Sequence, residues 1–251
     1  MHKTAVVTGA GGYIGRHVVR SLLDRGFSVG AVDPRLDGVD ARAERLDVDI
    51  FSGAPDVYER MGRPDVVLHL AWRDGFKHAS TAHLDDLARH YHLIEDLYAS
   101  GLHQLAVMGT MHEVGYWEGA IDEDTPCRPA SLYGIAKNAL RQATLLSAAA
   151  HGGVAQWIRA YYIVGDDAFG SSIFSKLLSA ATEGRRTFPF TSGKNRYDFI
   201  SVQDLADQIA AVVSQEDVDG IINACSGRPV TLAERVEQYI KDNDLDLSLI
   251  H

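Results

Sequence analysis

Residues Thr4 to Leu23, TAVVTGAGGYIGRHVVRSLL, constrain this chain more than any other stretch. Thr4, Ala5, Val6 and Val7 read as a short buried strand, Gly9, Gly12 and Gly15 as a tight turn, and Ile14, Val18, Val19, Leu22 and Leu23 recur at helical spacing. Glycine suits such a turn because the backbone must bend sharply, approach a phosphate without a Cβ in the way, and pack the helix closely on the strand. The unpaired N–H groups and positive dipole end at the helix start, to which Tyr13 and Ile14 belong, then form an anion site. Gly26 caps this helix. Phe27 to Val32 is the next strand, and it ends in Asp33, whose carboxylate can accept from both ribose hydroxyls of an adenosine and would sit badly beside a 2′-phosphate. Three glycines alone would describe many turns. Set between a strand and a helix and followed by a second strand ending in Asp, they predict a dinucleotide site.

At 251 residues the chain is long enough for one large domain, or a domain with a small lobe. Its longest apolar runs are far below membrane-spanning length and no charged, apolar leader opens the sequence, so a cytoplasmic protein without a membrane partner is expected. Cys127 and Cys225 stand far apart in no paired spacing, which indicates neither a metal site nor a disulfide framework. A net charge of −10 argues against a nucleic-acid partner, because phosphate backbones are held by excess Lys and Arg.

Further along, Arg45 to Ile50 reads as a third strand ending in Asp49-Ile50, and Val66 to Ala71 as a fourth whose end, His69-Leu70-Ala71-Trp72, lies where a doubly wound sheet opens onto its ligand crevice. His83 to Ser100 is helical by spacing, Gln104 to Met108 is the fifth strand, Ser131 to Ala150 a long helix, and Gln156 to about Tyr162 the sixth strand. This alternation is what an α/β doubly wound parallel sheet requires. Ser172 to Glu183 and a segment from Ser201 are helical, Gly220 to Ala224 is a strand, and Thr231-Leu232-Ala233-Glu234 is a capping box opening a last helix. The expected organisation is a dinucleotide-binding domain over 1–164, its sheet completed by about 198–224, with 165–197 and 225–251 forming a small, discontinuous C-terminal substrate lobe.

Tyr133 and Lys137 are four apart on a predicted helix and so share one face. A phenol titrates near ~10 and needs a nearby ammonium to work as an acid–base group at neutral pH. Tyr-x-x-x-Lys by itself means little, and position decides. The pair lies one helix past a strand end carrying Gly109-Thr110, whose hydroxyl could hydrogen-bond the carbonyl oxygen that Tyr133 protonates.

That trio, with the G-x-x-G-x-x-G turn, resembles the extended short-chain dehydrogenase/reductases, the nucleotide-sugar epimerase, dehydratase and reductase group, over nearly the whole chain. The resemblance implies a Rossmann-like fold with NAD as cofactor, NADP being open because Arg16 and Arg35 stand near enough to meet a 2′-phosphate. It makes Tyr133 the acid–base residue, Lys137 the group that lowers its pKa and holds the nicotinamide ribose, and Thr110 the catalytic Ser/Thr. It places Asp49-Ile50 at the adenine, Leu70-Ala71 along the dinucleotide, and Tyr161-Tyr162 beside the nicotinamide and the substrate diphosphate, with Tyr162 replacing the usual Asn. The stretch Gly109 to Gly115, with Asp122-Glu123-Asp124-Thr125-Pro126 and Ser131 to Asn138, looks most like bacterial surface-sugar enzymes of the abequose-synthase kind, which reduce a nucleotide-linked 4-keto-6-deoxyhexose.

Met111 and His112 stand where the 4,6-dehydratases carry Asp-Glu, so hydride chemistry at the 4-position is expected rather than dehydration. A nucleotide-linked 4-epimerase with retained NAD, and a catalytically silent dinucleotide-binding protein, are the alternatives. His112 and Glu113 are candidate substrate contacts, as is Arg196, one residue off the family's diphosphate-binding Arg; Trp72, Arg73, His78 and His90 read as crevice packing or surface. The closing segment that such enzymes carry past the last helix would be missing or shortened at His251. The resemblance also implies a homodimer through helices 83–100 and 131–150, with Leu84, Leu87, Tyr91, Ile94 and Tyr98 and Leu140, Ala143, Leu145, Leu146 and Ala149 supplying the apolar face.

Overall fold

A computed structural model describes residues 3–122, 124–165 and 172–250; Glu123, in the acidic stretch before Pro126, lies outside them, as do residues 166–171 of the expected lobe. The described chain forms two compact units, one of residues 1–160 and 203–224, the other of 161–202 and 225–251.

The first unit is a seven-stranded, all-parallel sheet: β1 (Thr4–Thr8), β2 (Ser28–Val32), β3 (Glu44–Arg45), β4 (Val66–His69), β5 (Gln104–Thr110), β6 (Val154–Ala160) and, returning late in the chain, a strand over Gly220–Ala224. The helices are α1 (Gly15–Asp24), α2 (Val57–Arg60), α3 (Ala82–Asp85), α4 (Leu87–Ala99), α5 (Leu132–His151) and one over Val202–Val213 that leads into the late strand. From one edge the strands run Gly220–Ala224, β6, β5, β4, β1, β2, β3. This is the doubly wound parallel sheet expected from the alternation. Strands buried on both faces read as continuous apolar runs, as Val66, Val67 and Leu68 do, with His69 buried after them.

Several boundaries differ from the sequence reading: the fourth strand stops at His69, short of Ala71, and the fifth runs on to Thr110. The third strand is two residues long, with Leu46 N–H still donating to Ala31 O at 3.0 Å, and Asp49-Ile50 fall in a turn beyond it. The expected helix 83–100 breaks at Asp86 into α3 and α4. The sixth strand ends at Ala160. Helix α5 starts from Ser131, whose Oγ accepts from Gly134 N–H, and stops at Gly152 in the left-handed region.

Among the described residues, the second unit holds three two-stranded pairs and two helices. In it β7 (Tyr162–Val164) pairs parallel with β10 (Phe199–Ser201), β8 (Thr187–Pro189) with β13 (Ser248–Ile250), and β9 (Arg196–Tyr197) antiparallel with β12 (Val230–Thr231). The Gly220–Ala224 strand of the first unit is β11 in this count, and the helix before it is α7. Between β7 and β8 comes α6 (Ile173–Thr182), and α8 (Leu232–Asp242) opens on the expected capping box, with Glu234 N–H donating to Thr231 Oγ1 at 3.1 Å and Thr231 N–H to Glu234 Oε2 at 2.8 Å. Phe174, Leu177, Phe190, Val236 and Tyr239 form its core.

Candidate active site

Strand order fixes where ligand can enter the first unit. β1 lies between β2 and β4, so the chain leaves the centre in both directions and opens a crevice at the carboxyl ends of β1 and β4. There Gly9 has a φ of +72°, and a Cβ on it would fall 2.6 Å from Ala71 N; a Cβ on Gly15 would fall 2.1 Å from Gly9 O. Leu70 and Ala71 are thus packed directly against the turn. Gly12 N–H donates to Gly9 O at 3.0 Å. Gly11, which sequence reasoning passed over, is equally constrained, since its Cβ would meet Arg35 O at 1.7 Å; the Gly11-Gly12 doublet was the available signal. Tyr13 precedes Ile14, which stands at the N-cap of α1 without a side-chain cap.

Asp33 follows β2, half-buried, and its Oδ1 accepts from Arg35 N–H at 2.9 Å, while the Arg35 side chain is exposed. Asp49 is exposed and accepts from Phe51 N–H at 3.0 Å; Ile50 packs on the core. A glycine floor, a helix start without a side-chain cap and a carboxylate at the end of β2 together fit the diphosphate and ribose of a dinucleotide.

Thr110 ends β5, and Tyr133 lies in the first turn of α5 with the Thr110 hydroxyl close enough to its phenol to act on its pKa. One turn on, Lys137 is buried, donates from Nζ to Met108 O at 2.7 Å and stands 3.9 Å over the Trp72 ring. Burial pushes Lys137 down to about 7, opposed by the Glu113 carboxylate. It pushes Tyr133 up to about 12, the Thr110 hydroxyl opposing and Glu113 adding to the rise. The phenol thus stands above its ordinary value, because burial dominates and the nearby Glu113 charge works in the same direction.

Glu113 corrects another expectation. Rather than facing substrate, its carboxylate is 0% exposed and holds the end of β5 from below. It accepts from Thr110 N–H at 2.7 Å, from Trp157 Nε1 at 2.9 Å and from Arg159 Nη2 at 3.3 Å, with Arg141 Nε 3.7 Å away. Thr110 and Glu113 form a capping box around the single turn Met111–Glu113, with the same T-x-x-E spacing as Thr231 and Glu234. That spacing could have found it.

Aromatic rings enclose Tyr133. His78 stacks on it at 5.2 Å and 10°, His83 lies at 5.2 Å, His112 at 5.8 Å and Trp72 at 6.2 Å. His112 also lies 4.2 Å from His78, and burial holds it down at about 4, uncharged at neutral pH. In the second unit, the Tyr162 ring lies 4.4 Å from Tyr197, Arg196 donates to Pro229 O, and Tyr161 precedes β7. Among the described residues no group of His, Cys, Asp and Glu could hold a metal ion, and no helix is long and apolar enough to cross a membrane.

A sequence model of the NAD dependent epimerase/dehydratase family matches residues 5–225. Over 250 residues, 96% of this chain and 91% of the relative, the sequence is 41% identical to the dTDP-6-deoxy-L-talose 4-dehydrogenase (NAD(+)) of Aggregatibacter actinomycetemcomitans. Among solved structures, the UDP-glucose 4-epimerase of Thermotoga maritima with UDP-glucose superposes with a TM-score of 0.83 at 22% identity, covering 98% of this chain and 84% of that one. The dTDP-glucose 4,6-dehydratase of Bacillus anthracis in complex with NAD gives 0.82 at 20% identity over 99% and 84%. Those two likenesses share the fold with the sheet and crevice described above. With the match spanning β1 to the end of β11, the chain belongs to the NAD dependent epimerase/dehydratase family.

Proposed function

We propose that this protein is an NAD-dependent oxidoreductase acting at the 4-position of a nucleoside-diphosphate-linked deoxyhexose, interconverting its 4-hydroxyl and 4-keto forms. The carrying observation is that Thr110, at the end of β5, stands beside the Tyr133 phenol and opposes its rise, with Lys137 one helical turn away, in a sheet whose first turn fits a dinucleotide. NAD, held by the Gly9–Gly15 turn and Asp33, supplies the hydride acceptor. Tyr133 takes the proton of the 4-hydroxyl in oxidation and returns it in reduction, and Thr110 holds the same oxygen in line. Lys137 stands beside them as the local cation. His112 is the candidate sugar contact, and Tyr162 and Arg196 are carried as the second unit's candidates. The 41% identical 4-dehydrogenase supports action at this carbon, and 4-keto reduction is the same reaction run backwards.

The test is to incubate the protein with nucleotide-linked deoxyhexoses and their 4-keto forms, with NAD, NADH, NADP or NADPH, following reduced-nicotinamide absorbance and identifying product by NMR. Turnover that needs added dinucleotide supports the reading; interconversion of 4-epimers with none added makes the protein an epimerase. A place in making surface polysaccharide would follow from the sugar identified.

Cofactor choice rests on Asp33. Asp33→Ala should weaken NAD(H) more than NADP(H), because an acceptor for the ribose is removed and a repulsion of the 2′-phosphate relieved. Titration calorimetry with the four dinucleotides measures this, and equal losses for both kinds would take Asp33 away from the ribose.

The assembly is proposed as a homodimer through α3, α4 and α5. A groove of about 450 Å³ runs between these helices, lined by Leu84, Leu87, Ala88, Tyr91, Ala139 and Ala143, and Leu84, Tyr91, Ile135 and Leu146 are exposed. Ile94, Tyr98 and Leu140, expected at this face, are instead buried in the subunit core. Replacing Leu87 and Tyr91 together by Glu should give monomers, since the charges would be buried against a second copy. Sedimentation of a wild-type monomer at micromolar concentration would end the idea.

A further inference from the structure

We propose that Trp72 is the positioning residue for Lys137, its indole face holding the lysine ammonium in place and in the charged state that the reaction uses. The Lys137 side chain is buried, and its Nζ has two near neighbours of favourable charge, the Met108 carbonyl oxygen at 2.7 Å and the Trp72 ring, whose centroid is 3.9 Å away. An ammonium over an indole face is the strongest of the cation–π pairs, and its energy rises when water is excluded.

The ring is itself held on two sides. Trp72 Nε1–H donates to His83 Nδ1 at 3.0 Å, and His83 Nε2 donates in turn to Lys77 O at 3.0 Å, which fixes a neutral His83 with its proton on Nε2. The indole also stacks on His90 at 4.4 Å and 20°. His90 Nδ1 lies 2.8 Å from His69 Nε2, and His69 Nδ1 lies 2.8 Å from Thr8 Oγ1, so the stack is tied to the end of β1. A tryptophan that merely filled the crevice would need neither the fixed tautomer nor a lysine on its face.

The charged and titratable groups around Lys137 agree with this role. His69 on β4 is pushed down to about 3, by burial first and the lysine charge after it, and His90 on α4 to about 2, by burial first, then His69 and then the lysine, so both stay neutral and do not repel the ammonium. Glu113, below β5, favours it, and Tyr133, on the same helix, is neutral across the working range. Burial alone pulls Lys137 towards losing its proton near neutrality, and the indole face opposes that.

The inference rests on the catalytic reading of Lys137, so one readout is independent of activity. Tryptophan emission of the whole protein, titrated from pH 5 to 9, should show a step that is absent in both Trp72→Phe and Lys137→Met. A step that persists in Lys137→Met, or no step in the wild type, overturns the proposal. In pH–rate profiles with the nucleotide sugar identified above, Trp72→Phe should keep the high-pH limb in place, because phenylalanine retains a π face. Trp72→Leu should move that limb down by about one unit or more. Coincident limbs for the Phe and Leu variants also overturn it. If Trp72→Leu fails to fold, the emission titration decides. A wild-type protein inactive on every nucleotide sugar would end the functional reading and leave the emission titration to decide this one.

Discussion

Tyr133→Phe lowers turnover by roughly 10² to 10⁴-fold and leaves dinucleotide affinity nearly unchanged. The substitution is clean because the ring keeps its surroundings: the stack on His78 at 5.2 Å and the edge contact with Trp72 need only the six-membered ring. What disappears is one O–H beside the Thr110 hydroxyl. With the phenol pushed up to about 12, Tyr133 carries its proton at neutral pH and stands ready as the donor for 4-keto reduction. In the oxidative direction the phenolate is needed, so wild-type rates should rise with pH as far as the limb at which Lys137 loses its charge, and that rise should be lost in the Phe variant. Single-turnover rates in both directions and calorimetric binding of NAD and NADH measure the two halves of the expectation. A variant retaining more than about a third of the wild-type rate would remove Tyr133 from the mechanism.

What the sequence disclosed follows from how far its signals reach along the chain. The turn from Gly9 to Gly15 was legible because strand, turn and helix are contiguous, although the backbone that Gly9 and Gly11 admit, at Ala71 and Arg35, lies farther along the chain. Helix α5 was legible to within a residue, since Ser131 caps its start and Gly152 its end. The pairing of Thr187–Pro189 with Ser248–Ile250 was not, because two three-residue strands some sixty residues apart carry no period that either could announce alone. The helical face offered to a partner was read too wide for a different reason. α4 and α5 pack on each other as well as on the sheet, so Ile94, Tyr98 and Leu140 spend their apolar surface inside the subunit, and Leu84, Tyr91, Ile135 and Leu146 are left outside. At the site, Tyr133, Lys137 and Thr110 were found by spacing and position. Trp72 was read as packing because nothing in the order of residues says that a lysine sixty-five positions later will lie on its ring.

Glu113→Ala should cost about 3 to 5 kcal/mol of stability, the usual loss when one member of a buried ion pair is deleted. The carboxylate is fully buried and serves three structural partners at once: the Thr110 backbone N–H, the Trp157 indole N–H and the Arg159 guanidinium. Alanine leaves the Thr110 and Trp157 donors without an acceptor in a site that is closed to water, and Arg159, 2% exposed, keeps its charge there with only the weak acceptor Cys127 Sγ at 3.7 Å. Arg159 Nε already lacks a hydrogen-bond partner, so the guanidinium has little to fall back on. For a chain of this size the loss corresponds to a melting temperature lower by roughly 6 to 20 °C. Glu113→Gln should fall between the two proteins, since its amide oxygen can still accept from Thr110 while the charge opposite Arg159 is gone. The functional trace follows from the same geometry. Thr110 is held by Glu113 and stands beside the Tyr133 phenol, so residual folded Glu113→Ala should bind dinucleotide normally and turn over slowly. Thermal denaturation followed by circular dichroism measures the first effect, and an alanine variant melting within about 2 °C of wild type would show that the end of β5 is held by something other than this carboxylate.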